Sequence, residues 1–260
     1  MLNLIFFLIC LSASIIGAVC GIGGGVIIKP MLDAFGILSV ETISFLSGCT
    51  VLSMSAYSVI SGRRESHIKP KIGLPLGIGA AVGGLIGKWM FSYLSSLYTD
   101  KDKVGAIQAV CLLIVTIGTL VYTIYKQRIK TYRLQNIFFC VFIGLFLGIL
   151  SSFLGIGGGP INLVVLFFFF SMSTKEAVEN SLYIIFYSQT ASLISYIVTE
   201  SIPDFSGHLL ALMVTGALAG GIFGRTWNKK IDEKTVDVLF AGLTVVLILI
   251  NIYNIIKFIT

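Results

Sequence analysis

The pentapeptide Gly-Ile-Gly-Gly-Gly occurs twice, at 21–25 and at 155–159. Each copy follows a long apolar run and precedes a shorter one. Glycine lacks a Cβ and admits backbone angles closed to other residues, so such a run interrupts a helix. Bared backbone N–H groups are costly in lipid, and the break must be buried in protein or line a water-filled cavity. The N–H groups opening the next helix are then free to meet an anion. Paired interruptions in matching places point to the substrate site of a transporter built from repeats.

The lipid setting follows from composition. The 260 residues are 56% hydrophobic and 12% charged, with a mean hydropathy of +0.98. Soluble domains carry roughly 25% charged residues. A helix needs roughly 20 apolar residues to cross a hydrocarbon core, and several runs reach that length. The short alternating segments of a β-barrel are missing. The chain therefore reads as an all-α polytopic membrane protein. Its net charge of +6 sits in short loops, as expected of cytoplasmic loops, and not in a nucleic-acid patch. Cys10, Cys20, Cys49, Cys111 and Cys140 are scattered without CxxC spacing, so no metal or disulfide framework follows. No cofactor is implied. Residues 2–20 lack a basic leader, the first cation being Lys29, and read as a retained first helix.

Apolar segments fall at about 2–20, 26–37, 41–61, 72–97 and 104–125, and again at about 135–154, 160–172, 177–199, 207–228 and 235–258. The two sets of five align. Glu41 matches Glu176, Gly83-Gly84 and Gly87 match Gly220-Gly221 and Gly224, and Lys103 matches Lys234. A duplication is expected, with an N-terminal repeat at 1–126, a cytoplasmic linker at 127–134 and a C-terminal repeat at 135–260. The loops 63–71, 126–133 and 225–234 are basic, whereas the loop holding Glu200 and Asp204 has no Lys or Arg. The positive-inside rule puts the basic loops in the cytoplasm. Corresponding loops of the two halves then lie on opposite sides, as five segments per half also require. The expectation is two inverted five-segment repeats in the cytoplasmic membrane, with both termini on the non-cytoplasmic side. The second and seventh segments are too short to span, which favours hairpins at the glycine turns.

The stretch Gly-Ile-Gly-Gly-Gly-Val-Ile-Ile-Lys-Pro-Met-Leu at 21–32 resembles the GxGGGxxxxPxL signature of the sulfite exporter TauE/SafE family. The second glycine run, the length and the glycine-rich fourth and ninth segments fit the same family. The resemblance covers nearly the whole chain and implies transport of anions, typically sulfur oxyanions or organosulfonates. The second copy departs from the signature, with Pro160 directly after the glycines and Val164 where the first copy has Pro30. The two turns are expected to be unequal.

Candidate anion contacts are the turn glycines Gly21, Gly23, Gly24, Gly25, Gly157, Gly158 and Gly159, with Lys29, Ser47, Asn162, Asn180 and Gln189. Neither glycine run fits a phosphate-binding or dinucleotide loop. Lys29 is ionisable within an apolar segment, where function is the default reading. It either meets an anion at the turn, or snorkels or pairs with Asp33 four residues on. Ser44, Ser47, Gly48, Ser55 and Ser58 share one face of the third segment. In the eighth, Asn180 lies on a face with Glu176, Tyr183, Tyr187 and Thr190, and Ser181, Ser188, Ser192 and Ser195 lie beside it. Hydroxyl and amide donors suit sulfur-bound oxygens, although helix-to-helix bonding uses the same groups. Asn180 and Gln189 are the costliest to bury unused. The paired glycines of the fourth and ninth segments suit close helix packing. Lys88 and Arg225 read as interfacial anchors, and His67 and His208 have no metal-ligand spacing. The function expected is secondary anion transport by alternating access, coupled to a proton or sodium ion. An anion channel is the alternative, and an enzyme or a scaffold is further from the residues.

Overall fold

A computed structural model describes residues 2–62, 70–98, 100–199 and 202–259. Residues 63–69 of the first basic loop, with His67, and the acidic Glu200 lie outside the described residues. The described residues form ten α-helices and a 3₁₀ turn at Lys126–Arg128, with no strand among them. The first half holds α1 (Leu2–Cys20), α2 (Gly25–Phe35), α3 (Val40–Gly62), α4 (Pro70–Leu97) and α5 (Lys101–Tyr125). The second holds α6 (Ile137–Phe153), α7 (Pro160–Phe170), α8 (Thr174–Val198), α9 (Gly207–Lys230) and α10 (Glu233–Ile259).

Among the described residues, seven helices are long and apolar enough to cross a membrane: α1, α3, α4, α5, α8, α9 and α10. Helices α2 and α7 have 11 residues each. That is about 16 Å at 1.5 Å per residue, roughly half a hydrocarbon core. Their lengths are set by local chemistry. Gly24 and Gly159 stand at their N-caps, and Gly36 and Ser171 turn left-handed at their C-caps, where a left-handed residue satisfies the last carbonyls. Ser173 and Glu176 form a capping box that opens α8, so the Glu176 side chain is committed to the helix start.

The outer surface is apolar. Helix α6 exposes Phe138, Phe142 and Phe146 while burying Ile143, Gly144, Leu147 and Gly148. An apolar exterior over a glycine-lined interior suits lipid outside and tight helix contact inside.

The most extensive contacts cross between the halves: α4 lies on α6, and α1 lies on α9. Small residues permit the approach. A Cβ at Gly79, Gly83 or Gly87 would fall within 3 Å of the carbonyl oxygen of Val141, Leu145 or Ile149 respectively. A Cβ at Gly216, Gly220 or Gly224 would meet the carbonyls of Phe7, Leu11 and Ile15 in the same way. A shift of 137, which carries Gly83 to Gly220, relates the two glycine rows. A shift of 134, which carries Gly21 to Gly155, relates the two sets of carbonyls. Two further sets of cross-half contacts also exchange: α3 meets α9 as α8 meets α4, and α2 meets α10 as α7 meets α5. Helices α3 and α8 also pack against each other.

Candidate functional site at the paired glycine turns

Helix α1 ends where Ile22 donates its N–H to Gly17 O at 3.1 Å. Gly21 and Gly23 take φ of +71° and +74°, which only glycine adopts without strain. Gly24 has already returned to the helical region, and Ile27 and Ile28 donate to its carbonyl at 3.0 and 2.9 Å. The second turn is looser. Gly155, Gly157, Gly158 and Gly159 all have positive φ, the last two at +139° and +152°. Pro160 causes the difference. A proline disfavours the helical region for the residue before it, so Gly159 is forced into extended left-handed space and α7 starts one position later than α2. The inequality expected from Pro160 is present.

The two turns touch. A Cβ on Gly25 would fall inside the carbonyl of Ile156, one on Gly23 would lie 3.8 Å from Gly157 O, and one on Gly159 would lie 3.9 Å from Val26 Cγ2. The N-termini of α2 and α7 therefore meet. Val51, the middle residue of α3, and Ile185, near the middle of α8, wedge between the turns. Val51 Cγ1 lies 3.5 Å from a Cβ position on Gly23, and Ile185 Cδ1 lies 3.2 Å from the same point. Both glycine stretches are buried throughout.

Ser47 and Ser181 occupy equivalent places on α3 and α8, 134 apart. Both are fully buried, and neither hydroxyl has a hydrogen-bond partner. Asn162, in the first turn of α7, is buried with both side-chain amide atoms unpartnered. Its Nδ2 lies 3.4 Å from a Cβ position on Gly158, so it leans into the second turn. Asn180 donates to Glu176 O at 2.8 Å and keeps an unpartnered Oδ1. Gln189 donates to Ser151 Oγ at 3.3 Å, and Ser151 lies 3.2 Å from Ser188 Oγ. Gln189 Oε1 faces Gly48 of α3, 3.0 Å from a Cβ position there.

Lys29 is buried, and its Nζ pairs with Asp33 Oδ2 at 2.8 Å. The pairing read from the spacing is present. The stem reaches the other half, since Lys29 Cε lies 3.3 Å from a Cβ position on Gly155. Other polar residues have local duties. Ser55 and Ser58 bond back to Leu52 and Met54 of their own helix, and Arg225 donates to Ser58 O. Lys88 is not an exposed anchor. It is 4% exposed, with Nζ 3.4 Å from the centroid of the Tyr196 ring, a cation held over an aromatic face.

Ser14 and Ser44 also meet the turns, which their places in the apolar segments do not announce. Ser14 Oγ lies 2.9 Å from a Cβ position on Gly24, and Ser44 Oγ lies 2.7 Å from one on Gly155. Both hydroxyls are buried and unpartnered. Ser44 faces Gly155 as Val178 faces Gly21, again a shift of 134, which was available in the sequence.

Three relatives align over most of their lengths. The probable membrane transporter protein YunE of Bacillus subtilis is 25% identical, covering 93% of each chain. The probable membrane transporter protein YdhB of the same organism is 26% identical over 88% of this chain and 90% of its own. The probable membrane transporter protein MJ0441 of Methanocaldococcus jannaschii is 26% identical over 88% and 87%. No solved structure matches the chain. The family model for the sulfite exporter TauE/SafE matches residues 6–250, and the chain belongs to that family of multi-pass membrane transporters rather than to an enzyme family.

Proposed function

We propose that the chain is a secondary transporter of small anions, with sulfur oxyanions or organosulfonates as the substrate class. The anion is held between the two glycine turns, at the interface of two inverted repeats spanning 1–126 and 135–260 about the linker 127–134. The carrying observation is the meeting of two helix N-termini, with the buried, unpartnered Asn162 leaning into the second turn and the buried, unpartnered Ser47 and Ser181 four residues before the Val51 and Ile185 that wedge between the turns. Each N-terminus has a partial positive charge near half an elementary unit. Two of them brought together repel each other, and a negative ion between them turns both into attractive partners. The hydroxyls and the amide supply further donors to its oxygens.

The exchange of contacts under the 134 and 137 shifts supports a two-fold relation between the halves. With the loop charges, it supports a protein of the cytoplasmic membrane whose termini lie on the non-cytoplasmic side. Rocking of the halves would open the junction to each side in turn. The burial of both turns suits an occluded carrier better than an open channel.

The test is counter-exchange in proteoliposomes containing the purified protein. Radiolabelled thiosulfate, sulfite and methanesulfonate should enter saturably, and faster when unlabelled anion is inside. Flux that rises linearly with concentration and ignores internal anion would favour the channel.

A further inference from the structure

We propose that Asp33 is the coupling-proton site of the transporter, loaded when Lys29 leaves it for the anion. The proposal rests on the anion site at the glycine turns and names its coupling ion.

The Lys29–Asp33 pair exists in one half only, because a shift of 134 carries Lys29 to Leu163 and Asp33 to Phe167. A fold that positions the second turn with two apolar residues does not need an ion pair there for shape. Asp33 is 6% exposed, and its Oδ1 has no partner. A cavity of about 160 Å³ opens beside Asp33, between the ends of α2 and α10 and the starts of α3 and α5. Asp102, exposed at the start of α5, and Lys257 of α10 also line it. Water in this cavity stands beside Asp33.

Lys29 can move between two partners. Its Nζ is one bond beyond Cε, and Cε already lies beside Gly155 of the second turn. Rotation about the last side-chain bonds takes the ammonium from Asp33 toward an anion at that turn. Asp33 would then be a buried carboxylate without its counter-ion, which is strongly unfavourable. A proton from the cavity water, taken onto a carboxylate oxygen, removes that charge. The ammonium keeps its own protons. Charge balances: a lysinium–carboxylate pair becomes a lysinium–anion pair and a neutral acid, so one proton accompanies each monovalent anion. On release the ammonium returns to Asp33, and the proton leaves with the anion.

Sodium fits this place poorly. Lys257 Nζ donates to the backbone carbonyls of Asp33 at 3.4 Å and Ala34 at 2.9 Å, so this ammonium is held at the C-terminal end of α2. A metal cation would need several oxygen ligands, and the nearest carbonyls are already taken by that ammonium, whereas a proton needs only the carboxylate.

The experiment uses the full chain in proteoliposomes enclosing a pH-sensitive dye, with methanesulfonate and thiosulfate as probes. Uptake by the wild type should acidify the lumen. A gradient of about one pH unit, acid outside, should drive methanesulfonate toward about tenfold accumulation, the ceiling for one proton per monoanion. Asp33→Asn should still exchange anion for anion, which also shows that it folds, but should lose the gradient-driven accumulation. Wild-type uptake without acidification, or a variant that still accumulates anion, overturns the coupling role and leaves the anion site standing. Failure of the wild type to exchange either probe overturns the anion site and this proposal with it.

Discussion

The two glycine turns do one job by different chemistry. The first is tight, returns to helical angles by Gly24, and has a buried ion pair one turn into α2. The second stays in left-handed space through Gly159, opens α7 on Pro160, and has Asn162 where α2 has Ile28. Backbone shape is held in common, while charge was placed on one side and a neutral amide on the other. A carrier needs its halves alike enough to exchange positions, but only one ionisable arm is needed to couple the substrate to a second ion. The contrast separates what positions the junction from what gives it selectivity.

The largest effect should come from filling the junction. Gly25→Ala puts a methyl group into the Ile156 carbonyl and forces the turns apart. Counter-exchange should fall about 100-fold, the scale of a misplacement near 1 Å at a reacting site. Wild-type exchange rates in a properly folded variant would mean that the contact between turns is incidental.

Next comes the ion pair. Asp33→Ala strands a buried Lys29 and should lower stability by about 3–5 kcal/mol, read as a drop in Tm in detergent. Lys29→Leu combined with Asp33→Phe copies the second half and should recover most of that loss while leaving transport impaired. Recovered transport in the double variant would make the pair purely structural.

Substrate contacts should cost less. Asn162→Ala should raise KM by roughly tenfold, near the 1.5–3 kcal/mol of a hydrogen bond to a charged group. Ser47→Ala and Ser181→Ala should each raise KM by about fivefold or less, and by similar amounts, since they occupy equivalent positions. A large difference between the two serines would show that the anion lies off the junction, toward one half. The smallest change is expected from Pro160→Val, which makes the second turn match the first. Stability should move by about 1 kcal/mol or less, because the helix start tolerates either residue.

Much of this arrangement is legible in the sequence. Hydropathy marks the helices because lipid demands unbroken apolar length, and the boundaries agree to within a few residues. The glycine turns were legible because few residue types interrupt a membrane helix without penalty. The rows Gly79, Gly83, Gly87 and Gly216, Gly220, Gly224 announce close packing through their four-residue spacing. They do not say which helix approaches, and so the crossing of α1 to α9 and α4 to α6 was beyond reach. Lys29 was ambiguous for the same reason: spacing supplies Asp33 as a partner, but the nearness of Gly155 is a contact between halves. Segment-end cations are usually exposed, whereas Tyr196 and Phe91 fold over Lys88, a contact that its place in the sequence does not announce.

The most direct test locates the anion itself. Selenate or selenite, heavier analogues of the sulfur oxyanions, would be bound to the purified protein and found by anomalous diffraction. The selenium should lie where its oxygens reach the N–H groups of both turns, at about 3 Å, with Ser47, Ser181 and Asn162 around it. A selenium peak at Lys88 under Tyr196, with the glycine junction still closed by Val51 and Ile185, would contradict the central claim.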